Sequence, residues 1–503
     1  MTVLPTAETG LKVPAVAGLR SALDKAAQVV GPDRISYPQA GDGEAPATTL
    51  GPNVSLYRSR DVYGVIRPRT AEEVRRIVEL FARPGTEGSL HAFSTGGNWG
   101  LGSREPARDG AVVLDLAGLD QIRDISVADG WAVLEPGVTQ ARLAKLLAGT
   151  ERMLNVTVSS AHTSVVGNAL DRGVGLRQQR VDDLVGLEVA LPNGELIRVG
   201  WWPTPGSTTP VYAHGLGPSL LQLFVQSNLG VVTAAAVRLL PRPDALRVVR
   251  LNFTPDRVEP VITEIRRWVG QGLTRGVVKI YNEAAAKAYD SAPGQYLVHV
   301  CVDGTQEAVD ALTAIVTGEA TRSGLFSQIS ATDATDPASP NHDVAQRVER
   351  SYAGDPDSTD VLFEAKMGRP AARLDEDGGF LFFLPLVPFT GAALARADEL
   401  LAQVHAETGI RCGATLNALS ADVIDCVVTM KFDRLGDDTD RAHQALDRLY
   451  ELFAAEGFIP YRLDIEHTDW ADRLATDPAA RALVQRLKET VDPHHAIAPG
   501  RYA

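Results

Sequence analysis

The stretch Ser94-Thr95-Gly96-Gly97-Asn98-Trp99-Gly100-Leu101-Gly102-Ser103 is a glycine-rich loop that follows a short run, Leu90 to Phe93, able to form a strand. Glycines let successive backbone N–H groups point into one concavity and let a ligand approach the main chain. Such a nest suits a diphosphate. No Gly-Lys-Ser/Thr follows, so the loop is not of the Walker kind. It also lacks the Gly-x-Gly-x-x-Gly that opens a Rossmann helix. Alone it reads equally as a turn, and its neighbours decide between the two.

Upstream lies Arg67-Pro68-Arg69-Thr70-Ala71-Glu72-Glu73-Val74-Arg75-Arg76-Ile77-Val78. Thr70 and Glu73 predict a capping box ahead of a helix carrying Val74, Ile77, Val78 and Phe81. Residues 19–30 have helical spacing at Leu19, Leu23, Ala26 and Val30. Downstream, residues 111–116 and 131–135 read as buried strands, and Thr139 can cap a helix through Leu147. Pro192-Asn193-Gly194 between residues 187–191 and 195–199 predicts a hairpin. These short strands and helices have no repeating βαβ order, which argues for an α+β domain rather than a Rossmann sheet.

The pattern changes near Pro241-Arg242-Pro243. Strand, helix and strand are expected at 247–253, 258–269 and 276–281, then a strand and helix at 296–302 and 305–316. A second alternation runs 380–386, 391–408, 423–432 and 439–456. Twice-repeated units of this kind predict one antiparallel sheet covered by helices. Residues 331–360, rich in Asp, Pro, Ser and Thr, read as a long surface excursion. Residues 1–15 and about 40–52 read as a mobile terminus and a loop.

Composition sets bounds. A chain of 503 residues is long for one core, so two or three domains are expected. Hydrophobic content of 45% and charged content of 22% are ordinary for a soluble globular protein. The net charge of −14 argues against a nucleic-acid partner. No run of about 18 apolar residues predicts a membrane span. Met1-Thr2-Val3-Leu4-Pro5 lacks the regions of a signal peptide. Cys301, Cys412 and Cys426, without Cys-x-x-Cys, fit a reducing cytoplasm and read as buried small hydrophobes. His494-His495 makes a poor metal site, and no His/carboxylate cluster suggests a metal.

The order of the glycine-rich loop, Leu134-Glu135-Pro136-Gly137-Val138-Thr139, Gly167-Asn168-Ala169-Leu170-Asp171-Arg172-Gly173-Val174-Gly175, Gln226-Ser227-Asn228-Leu229-Gly230 and Ala498-Pro499-Gly500-Arg501 resembles the vanillyl-alcohol oxidase and p-cresol methylhydroxylase family of FAD enzymes. The likeness runs from about Leu19 to the end and is clearest from Val65 to Pro241. It implies a two-domain α+β flavoprotein. The FAD-binding domain would be 1–245, with 470–503 returning to it. The cap or substrate domain would be 246–469, resembling paired ferredoxin-like halves.

In that family the loop at Ser94, Thr95, Gly96, Gly97, Asn98, Trp99, Gly100, Leu101, Gly102 and Ser103 wraps the FAD diphosphate. The resemblance adds Pro136, Gly137 and Val138 on the adenine side. Along the flavin it adds Ser159, His162, Thr163, Ser164, Gly167, Asn168 and Gly173. A third segment supplies Asn228, Gly230, Val231 and Val232, with Arg462 and Arg501 completing the set. Covalent tethers in the family use a His in the loop, a Cys near the flavin segment, or a residue on a cap strand. Here Asn98 stands at the first place, 150–170 contain no Cys, and Val423-Ile424-Asp425 offer no His or Tyr. Non-covalent FAD is therefore expected.

Tyr461-Arg462 matches a Tyr-Arg pair of phenol-oxidising members, on a strand after a turn at Gly457-Phe458-Ile459-Pro460. Hydride arriving at flavin N5 leaves negative charge over N1 and C2=O, and a guanidinium there stabilises it without a proton transfer. The tyrosine hydroxyl would bond a substrate oxygen. Leu101 stands where phenol oxidisers carry a loop Tyr, so one arm of a phenolate clamp is missing. His162 is the nearby titratable group and reads either as base or hydrogen-bond donor, or as a structural histidine. Leu101, Tyr281, Asn282, Thr415, Asn417 and Tyr461 are the candidate substrate residues, whereas Lys279, Glu364 and Lys366 read as surface charges.

The expected activity is FAD-dependent oxidation of a C–H or CH–OH group of a small organic substrate, with aromatic or phenolic compounds among the candidates. A flavin dehydrogenase of a 2-hydroxy acid or sugar-like alcohol is the alternative, and a non-catalytic flavin-binding protein a third. The electron acceptor is O2 or another species. Expected partners are a small-molecule substrate and, as a candidate assembly, a homodimer, with neither nucleic acid nor membrane.

Overall fold

The computed structural model describes residues 16–37, 49–102, 104–204, 210–332 and 342–502. Ser103, the terminal residues 1–15 and most of the loop expected at 40–52 lie outside them. The strand that launches the glycine loop is Ser89–Phe93. It pairs in parallel with Ala111–Asp115, which pairs in parallel with Val62–Ile66, and Ile35–Ser36 adds an antiparallel edge. Parallel strands need their faces covered. Helices Val16–Val30 and Ala71–Phe81 do this, packing Leu19, Leu23, Val74, Ile77, Val78 and Phe81 against Ile66, Val112 and Leu114.

The second helix starts where its sequence says. Thr70 accepts from the Glu73 N–H at 3.1 Å. The Glu73 carboxylate turns back to the Arg69 N–H at 2.7 Å, one residue before the expected capping-box partner, and grips Arg34 with both oxygens. A five-stranded antiparallel sheet follows, in the order Ile122–Ser126, Trp131–Leu134, Val231–Arg238, Leu184–Ala190, Leu196–Gly200. Its last two strands are the predicted hairpin, turning through Gly194 at φ +86°.

The rest of the chain builds one large antiparallel sheet. Its order is Gln328–Ala331, Ala245–Phe253, Tyr296–Gly304, Val278–Tyr281, Cys412–Ala418, Val423–Lys431, Phe380–Phe383, with Leu386–Pro388 also on Val423–Lys431. Each half reads strand–helix–strand–strand–helix, and the halves join where Val278–Tyr281 meets Cys412–Ala418. One face buries Val249, Leu251, Val278, Ile280, Leu416 and Val428 beneath helices Val258–Gly270, Gly391–Thr408 and Asp438–Ala455. The alternate residues face the other domain.

The surface excursion expected at 331–360 is corrected from 342 onward. His342–Tyr352 and Pro356–Met367 are helices that bury Tyr352, Leu362 and Phe363. Asp355 accepts from the Asp357 N–H, and Pro356 occupies the first turn. The Asp, Pro, Ser and Thr of 355–360 are a helix start, while 333–341 of that stretch lie outside the described residues.

After helix Pro478–Val491 the chain returns to the glycine-loop strand. Ile497 bridges Leu90 in parallel, and Leu90 bonds Ala496 and Ala498 at 2.7 Å each. Buried Lys488 fixes this return by donating to Asn228 O, Asp492 Oδ2 and Ile497 O at 2.6, 2.6 and 2.9 Å. The three cysteines are buried and free. Among the described residues no helix is long and apolar enough to cross a membrane.

Candidate functional site

A cavity of about 350 Å³ lies between the two sheets. One wall comes from the first domain. It includes Ser94, Thr95, Gly96, Gly97, Asn98, Trp99 and Leu101, with Pro136, Ser159, Thr163, Ser164, Gly167, Asn168 and Gly173. Gly230, Val231 and Val232 continue it, and Arg501 and Tyr502 close it from the C-terminal return. Ser164 holds two of these pieces together. Its hydroxyl donates to Pro136 O at 2.6 Å and accepts from the Gly167 N–H at 2.9 Å, capping the short helix Val165–Leu170.

The glycines of the loop have two separate reasons. Gly96 and Gly97 line the cavity; Gly100 and Gly102 do not. A Cβ on Gly100, at φ +85°, would sit 2.5 Å from the Phe382 ring. One on Gly102, at φ +67°, would sit 2.7 Å from Tyr57 and Ile465. The second half of the loop is glycine because the cap packs against it. Gly97 has no positive φ, and a Cβ there would meet only the Trp99 ring, at 3.4 Å.

The Tyr461-Arg462 pair sits at the junction of the domains, in a bend rather than on the expected strand. The Tyr461 N–H donates to Leu384 O in the cap, and its carbonyl accepts from Gln226 of the first domain at 2.9 Å. Arg462 forms an ion pair with Asp171 and donates to Asn98 Oδ1 at 3.2 Å. Asn98 in turn donates to Asp171 Oδ2 at 2.9 Å, and the Tyr502 hydroxyl to Asp171 Oδ1 at 3.1 Å. Burial alone would raise Asp171, but Arg462 and Arg501 hold its carboxyl below the usual range. Arg462 stays charged against its own burial because Asp171 faces it.

The cap wall is a second polar chain. Lys279 Nζ donates to Asn417 Oδ1 at 2.5 Å, Asn417 Nδ2 to Asp425 Oδ2 at 3.1 Å, and the Tyr461 hydroxyl reaches the same oxygen at 3.4 Å. Asp425 is fully buried, and burial pushes its carboxyl up to about 7. Burial, followed by the nearby Asp425, also lifts Tyr461 well above the ordinary phenol range. Burial lowers Lys279 to about 8. Lys366, in the last turn of helix Pro356–Met367, is lowered by burial and by Lys279 and Lys431 to about 7. Phe363, Phe382, Leu384, Tyr289 and Val427 give this half its apolar surface.

Of the candidate substrate residues, Leu101, Thr415, Asn417 and Tyr461 line the cavity. Tyr281 does not: it is packed in the core against Tyr289 and His299, with ring centroids at 4.3 and 5.2 Å. Asn282 is a helix cap, accepting from the N–H groups of Ala285 and Ala414. His162 is exposed and outside the cavity. Of the candidate cofactor residues, Gly137 and Val138 lie behind Pro136, and a Cβ on Gly137 would strike Ala117 O at 2.3 Å. Asn228 braces the C-terminal return by donating to Ala498 O.

Lys279 and Lys366, read from the sequence as surface charges, belong to the cavity wall. Asp171 joins it as the partner of Arg462, and Asp425 lies behind it as the partner of Tyr461. Lys279 had a signal: it stands in Val277-Val278-Lys279-Ile280-Tyr281, too apolar for a strand with one face in water. The aspartates had none, since each is found only through its partner.

Several buried polar atoms have no hydrogen-bond partner among the described residues: Thr157 Oγ1, Asn168 Oδ1, Arg462 Nε and Arg501 Nη1, all on cavity-lining residues. Native proteins rarely leave such groups unmet, so their convergence fits a polar ligand along this wall. Two acceptors and two guanidinium donors beside a glycine loop suit a dinucleotide.

Residues 62–200 match the family model described as an FAD binding domain. The chain is 30% identical to the 1'-carboxy-chondrochloren decarboxylase of Chondromyces crocatus, over 96% of this chain and 97% of that one. It is 26% identical to the 4-cresol dehydrogenase (hydroxylating) flavoprotein subunit of Pseudomonas putida, over 86% of each. Its fold superposes on p-cresol methylhydroxylase with substrate bound at a TM-score of 0.84 and 23% identity, covering 100% of this chain and 98% of that one. The two-domain α+β architecture, with an FAD-binding domain and a large antiparallel cap sheet, is that of the methylhydroxylase.

Proposed function

The chain belongs to the vanillyl-alcohol oxidase and p-cresol methylhydroxylase family of FAD-dependent oxidoreductases, and from that premise we propose that it oxidises a C–H or CH–OH group of a small aromatic or phenolic substrate. The observation that carries this reading is the Tyr461-Arg462 pair, held in the cavity from both domains. Bound FAD supplies the hydride acceptor, its N5 atom. Arg462 stabilises the negative charge that appears as hydride arrives; Asp171 and Asn98 keep its guanidinium oriented beforehand. The Tyr461 hydroxyl, which donates to Asp425, accepts a hydrogen bond from a substrate hydroxyl. Phe363, Phe382 and Leu384 hold the ring and exclude water.

The relative from Pseudomonas putida is named for a cresol and that from Chondromyces crocatus for removal of a carboxyl group. Together they extend the proposed substrates to aromatic compounds with or without a carboxylate. Anaerobic bleaching of the flavin by 4-alkylphenols or benzylic alcohols is the test. Bleaching by aliphatic 2-hydroxy acids and by no aromatic compound would overturn the reading. FAD is held without a covalent bond in this proposal, because position 98 and residues 423–425 carry neither His nor Tyr and 150–170 carry no Cys. Acid precipitation should leave the flavin in the supernatant; yellow polypeptide in the pellet would overturn that part.

A further inference from the structure

The cap half of the cavity carries more positive charge than the proposed reaction uses. Arg462 and Arg501 share Asp171, and Arg104 lies 3.8 Å from Asp375. Lys279 and Lys366 remain. Lys279 is 6% exposed at the centre of the large sheet, and its hydrogen bond goes to a neutral amide, Asn417. The carboxylate beyond it, Asp425, is already shared by Asn417 and Tyr461. Lys366 Nζ has no carboxylate partner among the described residues. Its ammonium lies over the Phe382 ring, 5.7 Å from Nζ to the centroid. Lys279, buried, and Lys366, half-buried, thus line one cavity beside aromatic rings, and the charge of Lys279 disfavours that of Lys366.

We infer that Lys279 and Lys366 form a subsite for a carboxylate carried by the aromatic substrate, distinct from the oxygen that Tyr461 meets. The inference rests on the proposed reading of the site as an oxidoreductase pocket. An anion there offsets the repulsion between the two lysines and gives Lys366 the partner it lacks. Burial has already brought both ammonium groups towards neutrality, to about 8 and about 7, so a bound carboxylate would raise them again. Phe382 lies against Lys366 and Leu384 two residues on, so the ring and the carboxylate of one ligand meet neighbouring surfaces.

The test titrates the holoenzyme anaerobically with matched ligands and follows the flavin spectrum. The ligands are 4-hydroxyphenylacetate and 3-(4-hydroxyphenyl)propionate against 4-ethylphenol and 4-propylphenol. The expected result is tighter binding of the carboxylates, by about 10-fold or more, as a charge-assisted hydrogen bond provides. Lys366→Met should erase most of that preference and Lys366→Arg should keep it, with FAD content checking the fold of both. Lys366→Gln provides a second neutral variant should Lys366→Met lose its flavin. Equal binding of carboxylates and neutral analogues in the wild type would overturn the inference. So would an equal loss for both classes in Lys366→Met. Carboxylates that bind tightly, with none of the four ligands bleaching the flavin, would support the subsite and sink the proposed oxidation. Bleaching by alkylphenols with no carboxylate preference would do the reverse.

Discussion

The two walls of the cavity are built from different material. On the first-domain side, Ser94 to Gly97, Ser164 and Gly167 offer main chain and short hydroxyls, placed by a strand end and a capped helix. On the cap side, Lys279, Lys366, Asn417 and Tyr461 reach in as long polar side chains from two strands, a helix end and a bend. A main-chain wall recognises a group that never changes, and a substitution there disturbs backbone geometry. A side-chain wall can be rewritten one residue at a time with its sheet intact. In the proposed reading the arrangement divides the labour, with the constant cofactor on one side and substrate choice on the other.

Arg462 stands on the seam and gives the largest effect. Arg462→Ala should slow anaerobic flavin reduction by roughly 100- to 1,000-fold while FAD content changes far less. Arg462→Lys should recover only part, because an ammonium cannot reproduce the planar fork held by Asp171 and Asn98. Stopped-flow reduction at the wild-type rate in Arg462→Ala would remove the proposed role.

The next comparison lies within the glycine loop. Gly100→Ala should lower the thermal midpoint of the protein, since it puts a Cβ at a positive φ and 2.5 Å from Phe382. Backbone strain of this kind costs about 1–3 kcal/mol before any clash. Gly97→Ala meets only the Trp99 ring at an ordinary distance, so the flavin-free protein should melt within about 0.5 kcal/mol of wild type. Its loss, if Gly97 faces the diphosphate, should appear as weaker FAD binding. Gly97→Ala with full flavin occupancy and Gly100→Ala with unchanged melting would together dissolve the distinction between the halves of the loop.

The smallest effect sharpens the cap side. The Asp425 carboxyl is raised by burial to about 7, above the ordinary value of about 3.9. The folded protein therefore keeps a proton that the unfolded chain releases, and Asp425 costs stability progressively as pH rises from about 4 through 7. Asp425→Asn removes that titration. Its melting temperature relative to wild type should rise between pH 5 and 7, below the range where Lys279, at about 8, takes part. Parallel melting curves across this range would mean that Asp425 does not bind the extra proton.

The main-chain wall was also the legible one. A glycine-rich loop after a strand, a capping box and a Pro-Asn-Gly hairpin are local patterns, and local patterns survive in the sequence. The strand–helix alternation of the cap could be read for the same reason. What failed were side chains whose role depends on distant neighbours. Lys279 read as surface because most lysines are exposed, yet its strand lies between two others. Tyr281 and Asn282 were placed in the pocket by segment position, whereas one is core and the other a helix cap. His162 was chosen for its chemistry, but its side chain points to solvent. Residues 331–360 read as a surface excursion, yet 342–352 and 356–367 are helical, because the polar residues that begin a helix look like those that prevent one.

The return of the chain end to the glycine-loop strand has a consequence for the order of folding. Tyr502 reaches Asp171 across 331 positions, and Ala498 receives Asn228 across 270. Ile497 lies beside Leu90, at the strand that launches the loop. A ribosome releases the N-terminal portion first, and contacts this distant in sequence close late. The nascent first domain therefore waits with one strand edge open and Asp171 without Tyr502 until the whole cap has been made. A chain stopped within the cap would leave this wall of the cavity unfinished.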